Sequence, residues 1–200
     1  MAMINVMRRL IILSTIFFIS ITTSAEYALV ADYVIDGKSD DPLKNKVILV
    51  SGKKIVSIID IDAIPEKYTV INLPETTLMP GMVNAHEHPL LYQSDYQNGH
   101  LQASSAFKAL IGLKTLQRLL ASGWTSIRVM GDGDIYYANQ DIRKAIDRDM
   151  FLGPRLTGAA HYISITGGGG DINYLSPEQA VIADGLIADG PHEIRKAIRQ

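Results

Sequence analysis

The chain has 200 residues, enough for one ordinary domain or for a small domain plus part of a larger one. At 47% hydrophobic and 20% charged residues it has the composition of a folded globular protein, not of a disordered tract. A net charge of −2 without a lysine/arginine run excludes a general nucleic-acid binder, and the absence of cysteine excludes disulfides, thiolate metal sites and cysteine nucleophiles.

In chain order, the first element is a leader. Arg8 and Arg9 precede an apolar run from Leu10 to Ile21, and small residues follow at Thr23-Ser24-Ala25. This layout predicts a secretory signal peptide over residues 1–25, cleaved after Ala25. The expectation is an exported protein, periplasmic or secreted, with no stable membrane anchor after cleavage. The alternative, an uncleaved anchor, meets the difficulty that the run is short of the roughly 20 apolar residues that span a bilayer.

Residues 26–80 read as short strands and turns. "YALVADYVIDG" is β-rich and closes on Gly37, and "NKVILVSGKKIVSIID" is two β-branched runs around Ser51-Gly52-Lys53, a hairpin signal. "YTVINL" and "TTLMPG" follow as two further strands, the second stopped by Pro80-Gly81. The expected module is a small β-sandwich or β-meander.

From residue 81 to 200 strands alternate with helices. "MVNAHEH" reads as a buried strand; Leu110, Leu113, Leu116 and Leu120 share a helical spacing between a Ser104/Ser105 start and a Gly123 stop. "TSIRVM" is the next strand, and Ile142, Ala145 and Ile146 form one face of the next helix. "PRLTGAAHYISI" is a third strand leading into "TGGGGD". A short helix is expected at Ser176-Pro177-Glu178-Gln179, whose residues fit a capping box, and a last one runs from Pro191 with Ile194, Ala197 and Ile198 on one face. The repeated "IADG" in "VIADGLIADG" is too short to mark a structural repeat. Alternating elements of this kind argue for α/β architecture with a parallel sheet, and about three β/α units are present. A (β/α)8 barrel has eight, typically in about 250 residues, so the chain is expected to be truncated after the third.

His86 and His88 carry the chemistry. Along a strand, side chains alternate faces, so the two imidazoles point one way and Glu87 the other. That geometry lets both bind one metal ion, and imidazole with carboxylate suits zinc. The competing explanation is a chance pair in a loop, or a hydrogen-bonded pair.

"LMPGMVNAHEH" resembles the "LPGhhDxHxH" motif that opens the barrel of the amidohydrolase superfamily. "VIDG…NKVILVSGKKIVSI" before it is similar to the β-sandwich module beside that barrel. "ASGWTSIRVMGDGD", "IRKAIDRDMFLGPRLTGAA", "SITGGGGD" and "IADGPHEIRKAIRQ" follow in the order seen in its prolidase-like and imidazolonepropionase-like subgroup. The resemblance implies the start of a (β/α)8 TIM-type barrel in a divalent-metal hydrolase, with one or two ions, most simply Zn2+. His86 and His88 would bind the metal, while a carboxylated lysine, two further histidines and a general-base aspartate would lie on later strands. In the subgroup that lysine follows the "GPHEIRKAIRQ" helix, so the catalytic residues are expected beyond residue 200, and Lys196, on the helix itself, does not replace it. The implied reaction is hydrolysis of dipeptide-like amides or related cyclic amide and ester bonds by water that the metal activates. The 200-residue chain alone is expected to be inactive. The alternative function is a non-catalytic remnant or binding module of the same fold.

Other residues are candidates for supporting roles. His161, after the third strand, is a candidate second-shell or substrate residue, or a core or surface histidine. Arg128 ends the second strand and is either structural or substrate-orienting; relatives usually have aspartate at the next position, where this chain has Val129. "TGGGGD" lacks the lysine and Ser/Thr of a phosphate loop and reads better as a loop over a barrel mouth. Relatives often have a histidine where Gly169 stands. Asp132 and Asp134 in "GDGD" read as a solvated turn, and His100 and His192 as exposed. The expected partners are a small-molecule or dipeptide-like substrate and no nucleic acid; the oligomeric state stays open.

Overall fold

The structure is a computed structural model that describes residues 25–91 and 95–200. The expected signal peptide therefore lies outside the described residues, apart from Ala25. The chain divides into two compact units, the first ending at Met79 and the second running from Pro80 to Gln200.

The first unit contains β1 (Glu26–Val34), β2 (Lys46–Ser51), β3 (Lys54–Asp60) and β4 (Thr69–Leu78) in the order β3-β2-β1-β4. β2 and β3 form the expected hairpin, with Ser51 paired to Lys54 across Gly52-Lys53. Gly52 has φ +57°, the conformation that the first position of such a two-residue loop demands. Two expectations change. "YTVINL" and "TTLMPG" are one strand, β4, because Pro74, which has no N–H to donate, is absorbed in a bulge with Glu75 at φ +57°. β4 also pairs parallel with β1, so the described residues of this unit form a single mixed sheet and neither a meander nor a second sandwich layer. Ala28, Val47 and Leu49 are buried in its core, whereas Ile55, Val56 and Val70 are exposed.

The second unit is mixed α/β. Its strands β5 (Met82–Glu87), β6 (Trp124–Met130) and β7 (Arg155–Ala159) are parallel and adjacent in that order. Between β5 and β6 lie a 3-10 turn at Pro89–Leu91, α1 (Tyr96–Gln102) and α2 (Ser105–Ala121); α3 (Ala138–Asp147) joins β6 to β7. Ser104 caps α2 by accepting from the Phe107 N–H, and Gly123 at φ +92° ends it. Leu116, Ile127, Ile142 and Leu156 bring α2, β6, α3 and β7 into one core. The helices cover that face of the sheet. On the opposite parity Arg128, Arg155 and Thr157 are exposed.

β5 is half-buried, not the buried strand expected, because it is an edge of this sheet. The buried stripe of α2 passes through Gly112, Thr115 and Leu116, which leaves Leu110 64% exposed. The third strand stops at Ala159. Gly158 has φ +110° and lies so close to β6 that a Cβ there would overlap the Val129 carbonyl, and the chain then leaves the ladder. It re-forms as β8 (Ile163–Ser164), paired in parallel with β9 (Leu186–Ile187) in a separate two-stranded ribbon. No helix forms at Ser176. The Ser176 hydroxyl binds the Glu178 carboxylate instead of capping, and the backbone makes a turn from Gln179 N–H to the Ser176 carbonyl. α4 (Pro191–Ile198) begins at the expected proline. Among the described residues no helix is long and apolar enough to cross a membrane.

Candidate metal centre

β5 delivers the two histidines at its C-terminal end. Within "NAHEH" the side chains brace one another: Asn84 accepts from the His86 N–H at 3.0 Å and donates to Glu87 at 2.6 Å, and Glu87 accepts from the His88 N–H at 3.2 Å. His86 Nε2 and His88 Nε2 come to 3.1 Å, with ring centroids 5.1 Å apart and planes at 71°. The Nδ1 atom of His88 lies 2.7 Å from the Gly131 carbonyl oxygen. A carbonyl only accepts, so Nδ1 carries the proton and Nε2 keeps its lone pair. This is the tautomer a ligand through Nε2 requires, fixed by the carbonyl that accepts from the other ring nitrogen.

The donor set fits one first-row divalent ion in part. With Zn–N bonds of about 2.0–2.1 Å, an N···N separation of 3.1 Å corresponds to a ligand angle of roughly 100°, near tetrahedral. Two imidazoles are half of a closed site. Among the described residues no group of three or more His, Cys, Asp or Glu is placed to hold a metal.

The segment after β6 holds this corner together. Gly131 has φ +94°, and a Cβ on it would fall 2.3 Å from the Tyr162 nitrogen, so glycine is needed where the two loops cross. Asp132 is fully buried and accepts from the Leu90 and Gly133 N–H groups. Burial pushes its carboxyl up to about 7, against the lowering effect of those two hydrogen bonds and with smaller upward effects from Glu87 and Asp134. Asp134, also buried, accepts from the Ser105 hydroxyl and the Tyr136 and Ala138 N–H groups, anchoring the start of α3. The expected solvated turn is therefore two internal anchors: "GDGD" follows a buried strand end, and its carboxylates replace water for backbone donors that the turn sequesters.

His161 is buried, as a core histidine. Its Nδ1 lies 3.1 Å from the Asp134 carbonyl oxygen and its ring stands edge-on to Tyr137 at 4.5 Å, so it is not brought to His86 and His88. Its neighbour Tyr162 is, with ring centroids 6.2 Å from His88. Arg128 is exposed on the helix-free face, and its side chain makes no hydrogen bond or ion pair among the described residues. Val129 is buried on the face that packs toward the helices, opposite in parity to Arg128. His192 is exposed as expected. His100 is not: it is half-buried beside Lys108, whose Nζ lies 2.9 Å from His100 Nδ1 and 2.9 Å from the Gly133 carbonyl. Burial and the Lys108 charge hold the His100 imidazole below its ordinary pKa, and burial lowers Lys108 in turn.

A cavity of about 410 Å³ opens beside His88, walled by Leu91, Tyr162, Ser164, Gly169, Gly170 and Asp184. The "TGGGGD" run thus borders the histidines. It is held by Thr166, which donates through N–H and hydroxyl to Asp189, and by the Gly167 N–H to Asp171. Tyr162, Ser164 and Asp184 are site-lining residues that the pattern of the sequence did not mark.

Comparison with known sequences decides the lineage: the profile of the Amidohydrolase family matches residues 77–200, more than half of the chain. The chain belongs to the amidohydrolase family. Among curated members, an ochratoxinase from Aspergillus niger is 25% identical over 216 aligned positions, which cover 98% of this chain and 42% of the relative. The chain thus spans under half the length of the curated relatives it matches. Among solved structures, a Xaa-Pro dipeptidase with bound methionine in its active site is 25% identical with a TM-score of 0.72, covering 88% of this chain and 44% of that one. The A. niger ochratoxinase crystal structure, also 25% identical, gives a TM-score of 0.68 over the same shares.

Proposed function

We propose that this amidohydrolase-family chain forms the opening part of a divalent-metal-dependent hydrolase of amide bonds, with His86 and His88 as its first two metal ligands. The observation that carries the reading is the 3.1 Å approach of the two Nε2 atoms with His88 held in the metal-binding tautomer by the Gly131 carbonyl. The nature of the relatives, an ochratoxinase and a Xaa-Pro dipeptidase, supports dipeptide-like or related amides as the substrate class. Zinc is the ion that imidazole donors at this separation suit best. When bound, such an ion provides a nucleophile from water at neutral pH and polarises the scissile carbonyl.

This chain's own residues do the rest of the proposed work. Gly131 and Asp132 hold the loop after β6 against the histidines, Tyr162 abuts His88, and the glycine-rich run borders the space where substrate would enter. The organisation proposed with this function is a signal peptide over 1–25 that exports the protein, a β-rich module over 26–80, and the first part of a (β/α)8 barrel over 81–200. By ligand count the 200-residue chain alone binds zinc weakly and turns over no substrate, since catalytic zinc sites take about three protein ligands.

Zinc titration by calorimetry tests the reading. The wild-type chain is expected to bind one ion with a Kd of about micromolar or weaker, far below a four-ligand site. His86→Ala/His88→Ala should abolish that binding without changing the far-ultraviolet circular dichroism. Unchanged zinc binding in the double variant sinks the assignment, and turnover by the 200-residue chain sinks the ligand count.

A further inference from the structure

The ring of Tyr162 stands edge-on to that of His88, with centroids 6.2 Å apart and planes at 86°. Both residues line the cavity of about 410 Å³ that the glycine-rich run borders. The Tyr162 backbone is anchored on both sides. Its carbonyl accepts from the Leu186 N–H at 2.9 Å, and its nitrogen lies so close to Gly131 that a Cβ there would overlap it. The ring itself rests on backbone. A Cβ on Gly170 or on Gly185 would overlap its Cδ2–Cε2 edge, and the Gly185 N–H donates to the Gly170 carbonyl at 3.0 Å, joining the two glycines into one seat.

His88 is held at Nδ1 by the Gly131 carbonyl. One such bond fixes a distance but leaves the imidazole free to tilt, because a carbonyl oxygen accepts over a broad range of directions. A second ring at right angles restricts that tilt, since aromatic pairs favour the edge-on arrangement. A wall made of side chains could change rotamer under load. A seat made of two hydrogen-bonded glycines cannot, so the Tyr162 ring does not give way toward it when His88 leans.

We propose that Tyr162 is a positioning residue for His88: its ring, seated on Gly170 and Gly185, sets the tilt of the imidazole and hence the direction of Nε2. The proposal rests on the reading above that His88 is a metal ligand. It adds that the glycine-rich run serves that ligand through Tyr162, beyond bordering the cavity.

Two measurements on the 200-residue chain test it: zinc affinity by calorimetry, and the imidazole 15N signals of His88 in the zinc-free chain, assigned by their loss in His88→Ala. The wild type is expected to show the tautomer with the proton on Nδ1. Tyr162→Leu should shift His88 toward a mixture of tautomers and weaken zinc binding tenfold or more, the range typical when a partner that orients a ligand is lost. Tyr162→Phe, which keeps the ring, should leave both readings within about twofold of the wild type. Gly185→Ala, which displaces the ring while Tyr162 remains, should act in the direction of Tyr162→Leu. The signals of His161, which packs on Tyr137, should stay in place throughout and report an intact fold. Wild-type His88 signals in Tyr162→Leu, a loss in Tyr162→Phe as large as that in Tyr162→Leu, or wild-type behaviour of Gly185→Ala overturns the proposal. The two readings fail separately. A wild-type chain that binds no zinc removes the metal assignment, whereas the zinc-free His88 signals still decide whether Tyr162 orders that ring.

Discussion

The imidazole of His88 donates from Nδ1 to the carbonyl oxygen of Gly131, 43 positions along the chain, at 2.7 Å. Parallel pairing of β5 with β6 brings them together: Glu87 stands opposite Val129, so the residues just beyond each strand end meet at the same edge of the sheet. Strand register thus sets a histidine tautomer. The C-terminal ends of parallel strands are where this class of fold gathers functional groups, and here the backbone of the second strand's exit supplies the orienting partner.

Gly131→Ala should be severely disruptive. The position has φ +94°, and the added Cβ would sit within 3 Å of the Tyr162 nitrogen and the His161 carbonyl, all backbone atoms that cannot swing aside. Strain at positive φ and this overlap together should cost about 2–4 kcal/mol. Chemical denaturation checks that figure. Because the loop that bears the carbonyl must move, zinc affinity should fall as well, by tenfold or more. A stable Gly131→Ala chain with wild-type zinc affinity would show that this carbonyl does not position His88.

Asp132 predicts a pH dependence of stability with a definite sign. Its carboxyl is pushed up to about 7 in the folded chain by burial and returns to about 3.9 on unfolding. Between these values the folded chain holds a proton that the unfolded chain has released. This group's contribution therefore falls as pH rises from about 4 to about 7, by at most about 1.4 kcal/mol per pH unit. Asp132→Asn keeps an oxygen for the Leu90 and Gly133 N–H groups and removes the titration. Thermal unfolding from pH 4.5 to 7.5 should show the variant gaining on the wild type as pH rises. Parallel curves for the two proteins would place the Asp132 pKa near its ordinary value.

Gly169 should accept a side chain. A Cβ there meets nothing within 4 Å, and its φ lies outside the left-handed region, in contrast to Gly167 of the same run at φ +71°. Gly169→His, the residue relatives often have, is expected to change stability by no more than about 0.5 kcal/mol. It would place an imidazole at the rim of the cavity beside His88. Gly170→Ala is the contrasting control, because a Cβ there would come within 2.4 Å of the Tyr162 ring. Equal melting temperatures for the two variants would contradict this packing.

The sequence made some of this legible because local rules governed it. The β2–β3 hairpin, the Ser104 cap and Gly123 stop of α2, and Pro191 at the start of α4 depend on neighbours within a few positions, and all appear where those neighbours put them. His86 and His88 were legible because two-residue spacing along a strand fixes a common side. What escaped depends on contacts distant in sequence. Nothing local in "GDGD" distinguishes a solvated turn from two buried anchors; the difference is that Leu90, Ser105 and Ala138 arrive with backbone and hydroxyl donors. The capping box at Ser176 failed in the opposite way, since its local chemistry was present but the serine hydroxyl is engaged by Glu178 and the backbone makes only a turn. A backbone carbonyl such as that of Gly131 has no signature in sequence at all.

Gly112 sets two ordinary effects against each other inside α2. Replacing a mid-helix glycine by alanine gains about 1 kcal/mol of helix propensity. Here the new methyl group would lie 2.6 Å from Leu90 Cδ2 and 2.8 Å from Ile142 Cδ1, two buried side chains of the same core. Overpacking at such a position costs about 1–3 kcal/mol, and neither neighbour can yield freely: Leu90 is fixed by its N–H bond to Asp132, and Ile142 is wedged between α2 and β7. Packing should win, leaving Gly112→Ala less stable than the wild type by about 1 kcal/mol. Gly112→Ala combined with Ile142→Val, which removes the obstruction on α3 and leaves that of Leu90, should recover part of the loss. Denaturation midpoints of the single and double variants decide it, and a single variant more stable than the wild type would mean that α2 stands farther from the 3-10 turn than the packing of Leu90 requires.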